Sequence, residues 1–258
     1  MTLSETRRRL VGRLHRRRTR EREGLVLVEG VRAVEEALAQ GARPRFVLVS
    51  PRGRELATPD LRWALDAIPD VQEVTEPEMA AVAGTDAPQG IVLVAEEPRP
   101  DPAGVWGDPS ARILVLDGVQ DPGNVGTLVR AAAAFACSAV VVLDGTAEVW
   151  SAKALRAAAG TAFRIPVLHQ PWDEAAPALD ASGLPLLRAD AGGTPVDRAP
   201  AHRAWALALG GEGGGCRPEV AARATTTLAI PMPGGVESLN VGVAGAILLH
   251  ELTREARR

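Results

Sequence analysis

Short apolar blocks alternate with helical spacing along the first hundred residues. Leu25–Val28 is a strand-length apolar run. Glu29 and Gly30 break it, and Val31, Val34, Ala37 and Leu38 then recur three and four apart, as on one helix face. Gly41 stands where such a helix would be capped. Phe46–Val49, Val71–Val74 and Ile91–Val94 read as further strands, with helices around Leu61–Ala67 and Pro77–Ala83. This alternation predicts a small α/β domain over residues 24–95. Residues 96–110 hold four prolines and two glycines without periodicity and are expected to be a linker.

Beyond it, strands at Ile113–Leu116, Ala139–Leu143, Ile165–Leu168, Leu184–Leu187, Ala204–Leu209 and Thr227–Ile230 alternate with helices. The helices are expected at Val125–Phe135, Ala152–Ala159, Glu174–Leu179, Pro218–Ala224 and Leu239–Glu255. No hairpin signal joins the strands. The pattern predicts a second α/β domain over 111–258, a mostly parallel sheet with helices on both faces.

Composition narrows the class. The chain is 46% hydrophobic and 24% charged, ordinary for a globular protein. No apolar run approaches the roughly 18–20 residues of a membrane helix. No apolar stretch of secretory type follows the basic start, so a cytoplasmic protein without a membrane partner is expected. Cys137 and Cys216 have neither metal-ligand nor disulfide spacing, and no metal is expected. The net charge of −3 conceals a polarity: residues 1–22 carry nine Arg and two Glu, and Lys153 is the only lysine. Guanidinium groups fork onto phosphate oxygens and stack on bases, so residues 1–23 are expected to be a basic arm for RNA; a solvated terminal helix is the other reading.

Three loops after predicted strands could carry chemistry, because ligands of open α/β sheets bind beyond the C-terminal strand ends. Asp117–Gly126 contains the turn Pro122-Gly123, places Asn124 where an N-cap is expected, and leads into a helix bearing Arg130. Leu209–Cys216 sets Glu212 among five glycines, permitting close backbone approach to a ligand, and fits neither a Walker loop nor a dinucleotide fingerprint. Ile230–Ala244 has two prolines and two glycines before Ser238 and Asn240, at the start of a long apolar helix. Taken singly, each loop also reads as a helix cap or a flexible surface turn.

Taken together, NVGTLVR, GGEGGG and IPMPGGVESLNVGVA resemble, in order and spacing, the three motifs of the SpoU (TrmH) family of RNA ribose 2′-O-methyltransferases. The stretch LVLVEGVRAVEEAL resembles the N-terminal substrate-binding domain of rRNA-directed members. The resemblance implies a deep C-terminal trefoil knot, S-adenosyl-L-methionine as methyl donor, and a homodimer with its active site at the subunit interface. Its catalytic polar positions fall on Asn124, Arg130, Glu212, Ser238 and Asn240. Its cofactor-contacting positions fall on Gly210, Ile230 and Leu239, with Leu209 and Met232 as neighbours. Two positions depart from the family pattern: Gly211 stands where Asn or Ala is common, and Gly242 where Ser is common.

The three motifs contain no His, so the usual general base is missing. Arg130 is expected to orient the 2′-hydroxyl and favour its ionised form, Glu212 to orient Arg130 or Asn124, and Ser238 and Asn240 to position ribose or phosphate oxygens. The four His (15, 169, 202 and 250) lie outside the loops and read as structural. The expected substrate is structured RNA, rRNA and its large subunit ahead of tRNA. A tRNA methyltransferase and a non-catalytic RNA-binding assembly factor are the competing readings.

Overall fold

The computed structural model describes residues 3–200 and 202–255. The chain forms two compact units, one comprising residues 1–98 and 148–164, the other 99–147 and 165–258.

The first unit begins with α1 (Glu5–Leu14) and α2 (Arg17–Glu23). It continues with β1 (Leu25–Glu29), α3 (Val31–Ala39), β2 (Pro44–Val49), α4 (Pro51–Leu56), α5 (Pro59–Asp66), β3 (Val71–Glu73), α6 (Glu76–Val82) and β4 (Ile91–Glu96). The strands form one mixed sheet in the order β1-β4-β2-β3, in which β2 and β3 are parallel and β4 is antiparallel to both neighbours. Charge alone concealed the nature of the start of the chain. Val11 and Leu14 are fully buried and join Leu27, Leu48 and Met79 in the core, so the Arg-rich residues are helices packed on the sheet. Several of their guanidiniums are committed within the unit: Arg7 to Asp70 and Gln72, Arg8 and Arg9 to Glu5, Arg20 to Glu148.

The second unit contains α7 (Pro102–Trp106), β5 (Arg112–Asp117), α8 (Pro122–Ala134) and β6 (Ala139–Val142). The chain then contributes α9 (Ala152–Ala158) to the first unit, and returns with β7 (Val167–His169), α10 (Trp172–Ser182), β8 (Leu186–Pro195), β9 (Trp205–Gly210), α11 (Pro218–Arg223), β10 (Thr226–Ala229) and α12 (Val241–Glu255). The six strands lie in the order β10-β8-β9-β5-β6-β7, and every neighbouring pair is parallel. Ile113, Val115, Val141, Ala206 and Ala208 supply one core face.

Three local expectations change. Residues 96–110 hold α7, whose Val105 and Trp106 are buried in that core, with Trp106 Nε1 donating to Gln170 Oε1 at 3.0 Å. Strand β8 runs to Pro195, well past its apolar start. Helix α8 starts three residues before the expected Val125: Pro122 occupies its first turn, and Asp121 is the cap, accepting from Asn124 N–H at 3.0 Å. Asn124 is therefore inside the helix, and its side chain is free for another task.

Candidate active site and cofactor cleft

Parallel β8, β9 and β10 expose backbone and loop groups at their C-terminal ends, and a cavity of about 420 Å³ lies there. Leu209, Gly210, Ile230, Met232 and Leu239 all line it, as do Glu212, Ser238 and Asn240. Two carboxylates absent from the sequence expectation, Asp190 and Glu237, line it as well. No local sequence signal finds Asp190, which lies beyond the apolar start of β8, at the register shift between β8 and β10.

Close backbone contacts shape the cavity. The segment after β9 folds back on itself: Gly215 N–H donates to Gly211 C=O at 3.0 Å, with Gly213 and Gly215 at φ +87° and +65°. A Cβ on Gly210 would lie 1.9 Å from the Gly215 backbone, and one on Gly211 would lie 2.4 Å from the Gly118 carbonyl oxygen. On the far side α12 crosses α8 closely; a Cβ on Gly245 would meet Leu128 at 2.2 Å and Leu209 at 2.7 Å. Gly242 is likewise snug, its added Cβ lying 3.2 Å from Thr127.

At the rim, three side chains converge, from the first turn of α8, the glycine loop after β9 and the residue that caps α12. Asn124 Nδ2 donates to Glu212 Oε1 at 2.8 Å; Asn240 Nδ2 donates to Asn124 Oδ1 at 2.9 Å and to Glu212 Oε1 at 3.2 Å. Asn240 also accepts at Oδ1 from Gly242 N–H (2.9 Å) and Val243 N–H (3.3 Å), which fixes it against the first turn of α12. Glu212 thus meets Asn124 and Asn240 within one chain. Arg130 stands apart. It lies six residues along α8 from Asn124, is exposed, does not line the cavity, and makes no hydrogen bond or ion pair among the described residues.

Asp117, at the end of β5, is buried and accepts from Arg217 N–H at 2.7 Å and Arg217 Nε at 2.6 Å, pinning the chain just after the glycine loop. Burial, reinforced by the charge of Asp117, pushes the neighbouring Cys216 thiol up to about 12, so Cys216 is no nucleophile at neutral pH.

The cavity suits S-adenosylmethionine. Its volume falls in the range of about 300–1,000 Å³ usual for small-ligand sites. Leu209, Leu228 and Ile230 offer apolar surface for an adenine ring, while Asp190, Glu212 and Glu237 bring negative charge to a cavity that would receive a sulfonium cation.

Comparison with known proteins places the whole chain among its relatives. The SpoU rRNA Methylase family model matches residues 111–250, and the MRM3-like substrate binding domain model matches residues 8–93. The chain is 34% identical to the 23S rRNA (guanosine(2553)-2′-O)-methyltransferase RlmP of Bacillus subtilis, over 93% of each chain. Among solved structures, it superimposes on an RNA 2′-O ribose methyltransferase with a TM-score of 0.81 at 29% identity, covering 99% of this chain and 98% of that one. The SpoU methyltransferase AviRb of Streptomyces viridochromogenes, in complex with AdoMet, superimposes with a TM-score of 0.86 at 25% identity, covering 97% and 98%.

Proposed function

The chain belongs to the SpoU rRNA methylase family, and from that premise we propose that it methylates a ribose 2′-hydroxyl of ribosomal RNA, with S-adenosylmethionine as donor. The observation that carries the reading is the convergence of Asn124, Glu212 and Asn240 at the rim of a cavity whose walls include Leu209, Ile230 and Leu239. When bound, S-adenosylmethionine supplies an electrophilic methyl group on sulfur.

The protein's own task is to bring a 2′-oxygen into line with that methyl and to hold it there; alignment of this kind is worth on the order of 7–11 kcal/mol in favourable cases. Gly210 and the backbone after β10 bind the donor, and Ser238 offers a hydroxyl to ribose or phosphate oxygens. The hydrogen-bonded trio holds Glu212 in one orientation. Arg130 donates to the 2′-oxygen and stabilises its ionised form.

Arg130 lies outside the cavity of its own chain, so a second copy of the chain supplies it. Exposed Val243 and Leu239 provide apolar surface near α8 and α12 for such a homodimer. A deep trefoil knot is part of the same proposal; in it α12 packs against α8, β9 and residues 196–198, which join β8 to β9. The cytoplasm, where ribosomal RNA is modified in bacteria, is the proposed location.

The test is to incubate the protein with labelled S-adenosylmethionine and separate pools of rRNA and tRNA, then map the labelled ribose. Label is expected in rRNA and lost in Arg130→Ala, with melting temperature unchanged. Label in tRNA alone overturns the substrate. No label in either pool favours an RNA-binding protein without catalysis. Wild-type methylation by Arg130→Ala removes the role given to Arg130.

A further inference from the structure

A second cavity, of about 360 Å³, lies wholly within the first unit, where β1 meets α3 and α9 contributes Arg156. Nothing in the methyl-transfer chemistry uses it.

Its chemistry is unusual for a structural crevice. Glu29 lines it with a side chain only 7% exposed. Glu29 Oε1 accepts from Gly84 N–H at 2.9 Å, but the buried Oε2 has no hydrogen-bond partner among the described residues. A buried carboxylate oxygen without a donor is costly, and such an atom is usually explained by a ligand or an ordered water. His15 does not satisfy it: its Nδ1 is 4.0 Å from Oε1, and its Nε2 is engaged with Val82 C=O at 2.9 Å.

Gln89 lines the same cavity and is oriented by its neighbours. Its Oε1 accepts from Val31 N–H at 2.8 Å, so its Nε2 is the end left to donate. Gly30, at φ +99°, lets that carboxamide approach; a Cβ there would lie 3.0 Å from Gln89 Oε1. Arg32 and Arg156 also line the cavity, are exposed, and have no ion-pair partner among the described residues. Pro88 and Ile91 add apolar wall.

We propose that this cavity reads one unpaired guanine of the RNA substrate. Guanine carries two adjacent N–H donors, at N1 and N2, facing a carboxylate, with the O6 acceptor beside them for the Gln89 amide. The apolar wall takes the base face, and the two arginines take the flanking phosphates. Sequence-specific RNA recognition works in this way, through splayed bases hydrogen-bonded on their Watson–Crick edges. The proposal rests on the RNA reading above but not on catalysis, and the cavity volume admits a nucleotide and not a duplex.

The experiment measures binding of fluorescein-labelled RNA heptamers to the full chain by anisotropy at low salt. The probes are seven uridines, and the same strand with its central residue changed to G, A, C or inosine. The G strand is expected to bind about tenfold more tightly than the all-U strand, with inosine between them. Glu29→Gln keeps the acceptor for Gly84 N–H and replaces the free oxygen with a donor, so it is expected to abolish the preference while leaving binding of the all-U strand unchanged. Arg32→Ala is expected to weaken every strand by a similar factor and leave the preference intact. Equal binding of all strands, no binding of any, preference for another base, or a preference retained in Glu29→Gln overturns the proposal. Methylation of rRNA by wild-type protein, followed in parallel, reports separately on the catalytic reading.

Discussion

Asn124 and Glu212, 88 residues apart, are joined by a 2.8 Å hydrogen bond from Nδ2 to Oε1. Asn240 closes the triangle by donating to both. All three are partly or fully exposed, so the arrangement contributes orientation more than stability. Asn124→Ala and Glu212→Ala are each expected to lower single-turnover methylation on the order of a hundredfold. Urea unfolding should move by less than about 0.5 kcal/mol. Asn240 needs a finer substitution because Oδ1 also caps α12. Asn240→Asp preserves the capping oxygen and removes the donor, whereas Asn240→Ala loses both and should cost a further ~1 kcal/mol of stability. Equal stability of the Asp and Ala variants would contradict the capping role.

The backbone around Gly211 leaves no room for a side chain. A Cβ there would lie 2.4 Å from the Gly118 carbonyl oxygen, which is backbone and cannot rotate away. Gly211→Ala is therefore expected to shift the glycine loop and weaken S-adenosylmethionine binding by about tenfold, or ~1.4 kcal/mol. Gly214, three residues on, has open space around its added Cβ and no positive φ. Gly214→Ala should bind the donor as wild type does. Calorimetric titration of both variants decides the matter; equal affinities would show that the 211–118 approach does not shape the cleft.

These contrasts show what the sequence makes legible. Strand blocks such as Ile113–Leu116 and Ala139–Leu143 are read easily, because buried parallel strands leave continuous apolar runs. The order of the three loops was legible for the same reason, each following such a run. The second half of β8 was hidden, since Arg188, Asp190 and two glycines carry no apolar period, and the pairing with β10 skips from Arg188 to Thr194. Capping was misassigned between two equivalent residue types: Asp121 and Asn124 both suit a cap, and Pro122 at the first turn decides for Asp121. The rim triangle spans 88 and 116 residues, and no local signal announces contacts of that range.

The two thiols make a chemical prediction. Burial pushes Cys137 up to about 12, and burial together with Asp117 does the same for Cys216. Each is raised above its unfolded value of 9.0 in the native chain, so the native protein favours the neutral thiol. The associated stability is present below pH 9 and is lost as pH rises from there toward 12. Iodoacetamide at pH 8 should label neither residue at an appreciable rate in the folded protein, and both rapidly in urea. Mass spectrometry of timed samples checks this; fast labelling of native Cys216 would contradict its half-buried, anionic setting.

The last prediction concerns the segment 148–164, which belongs to the first unit although the strands on either side of it belong to the second. Arg20 and Glu148 anchor it. Arg20 Nε donates to Glu148 Oε1 at 2.8 Å, a second guanidinium nitrogen meets Oε2, and a third donates to Leu14 C=O at 2.5 Å. The two side chains are only 5% and 11% exposed. Removing one member strands a buried charge, so Arg20→Ala and Glu148→Ala are each expected to destabilise the protein by about 3–5 kcal/mol. Arg20→Lys should rescue little, because an ammonium cannot fork across both carboxylate oxygens and also reach the carbonyl. The double alanine variant should lose clearly less than the sum of the two singles, since neither charge is then left alone. Urea unfolding supplies the cycle, and amide exchange over 148–164 shows whether the loss falls on that segment. Additive losses, or exchange that quickens elsewhere first, would mean that apolar packing, and not the ion pair, holds the segment to the sheet of β1.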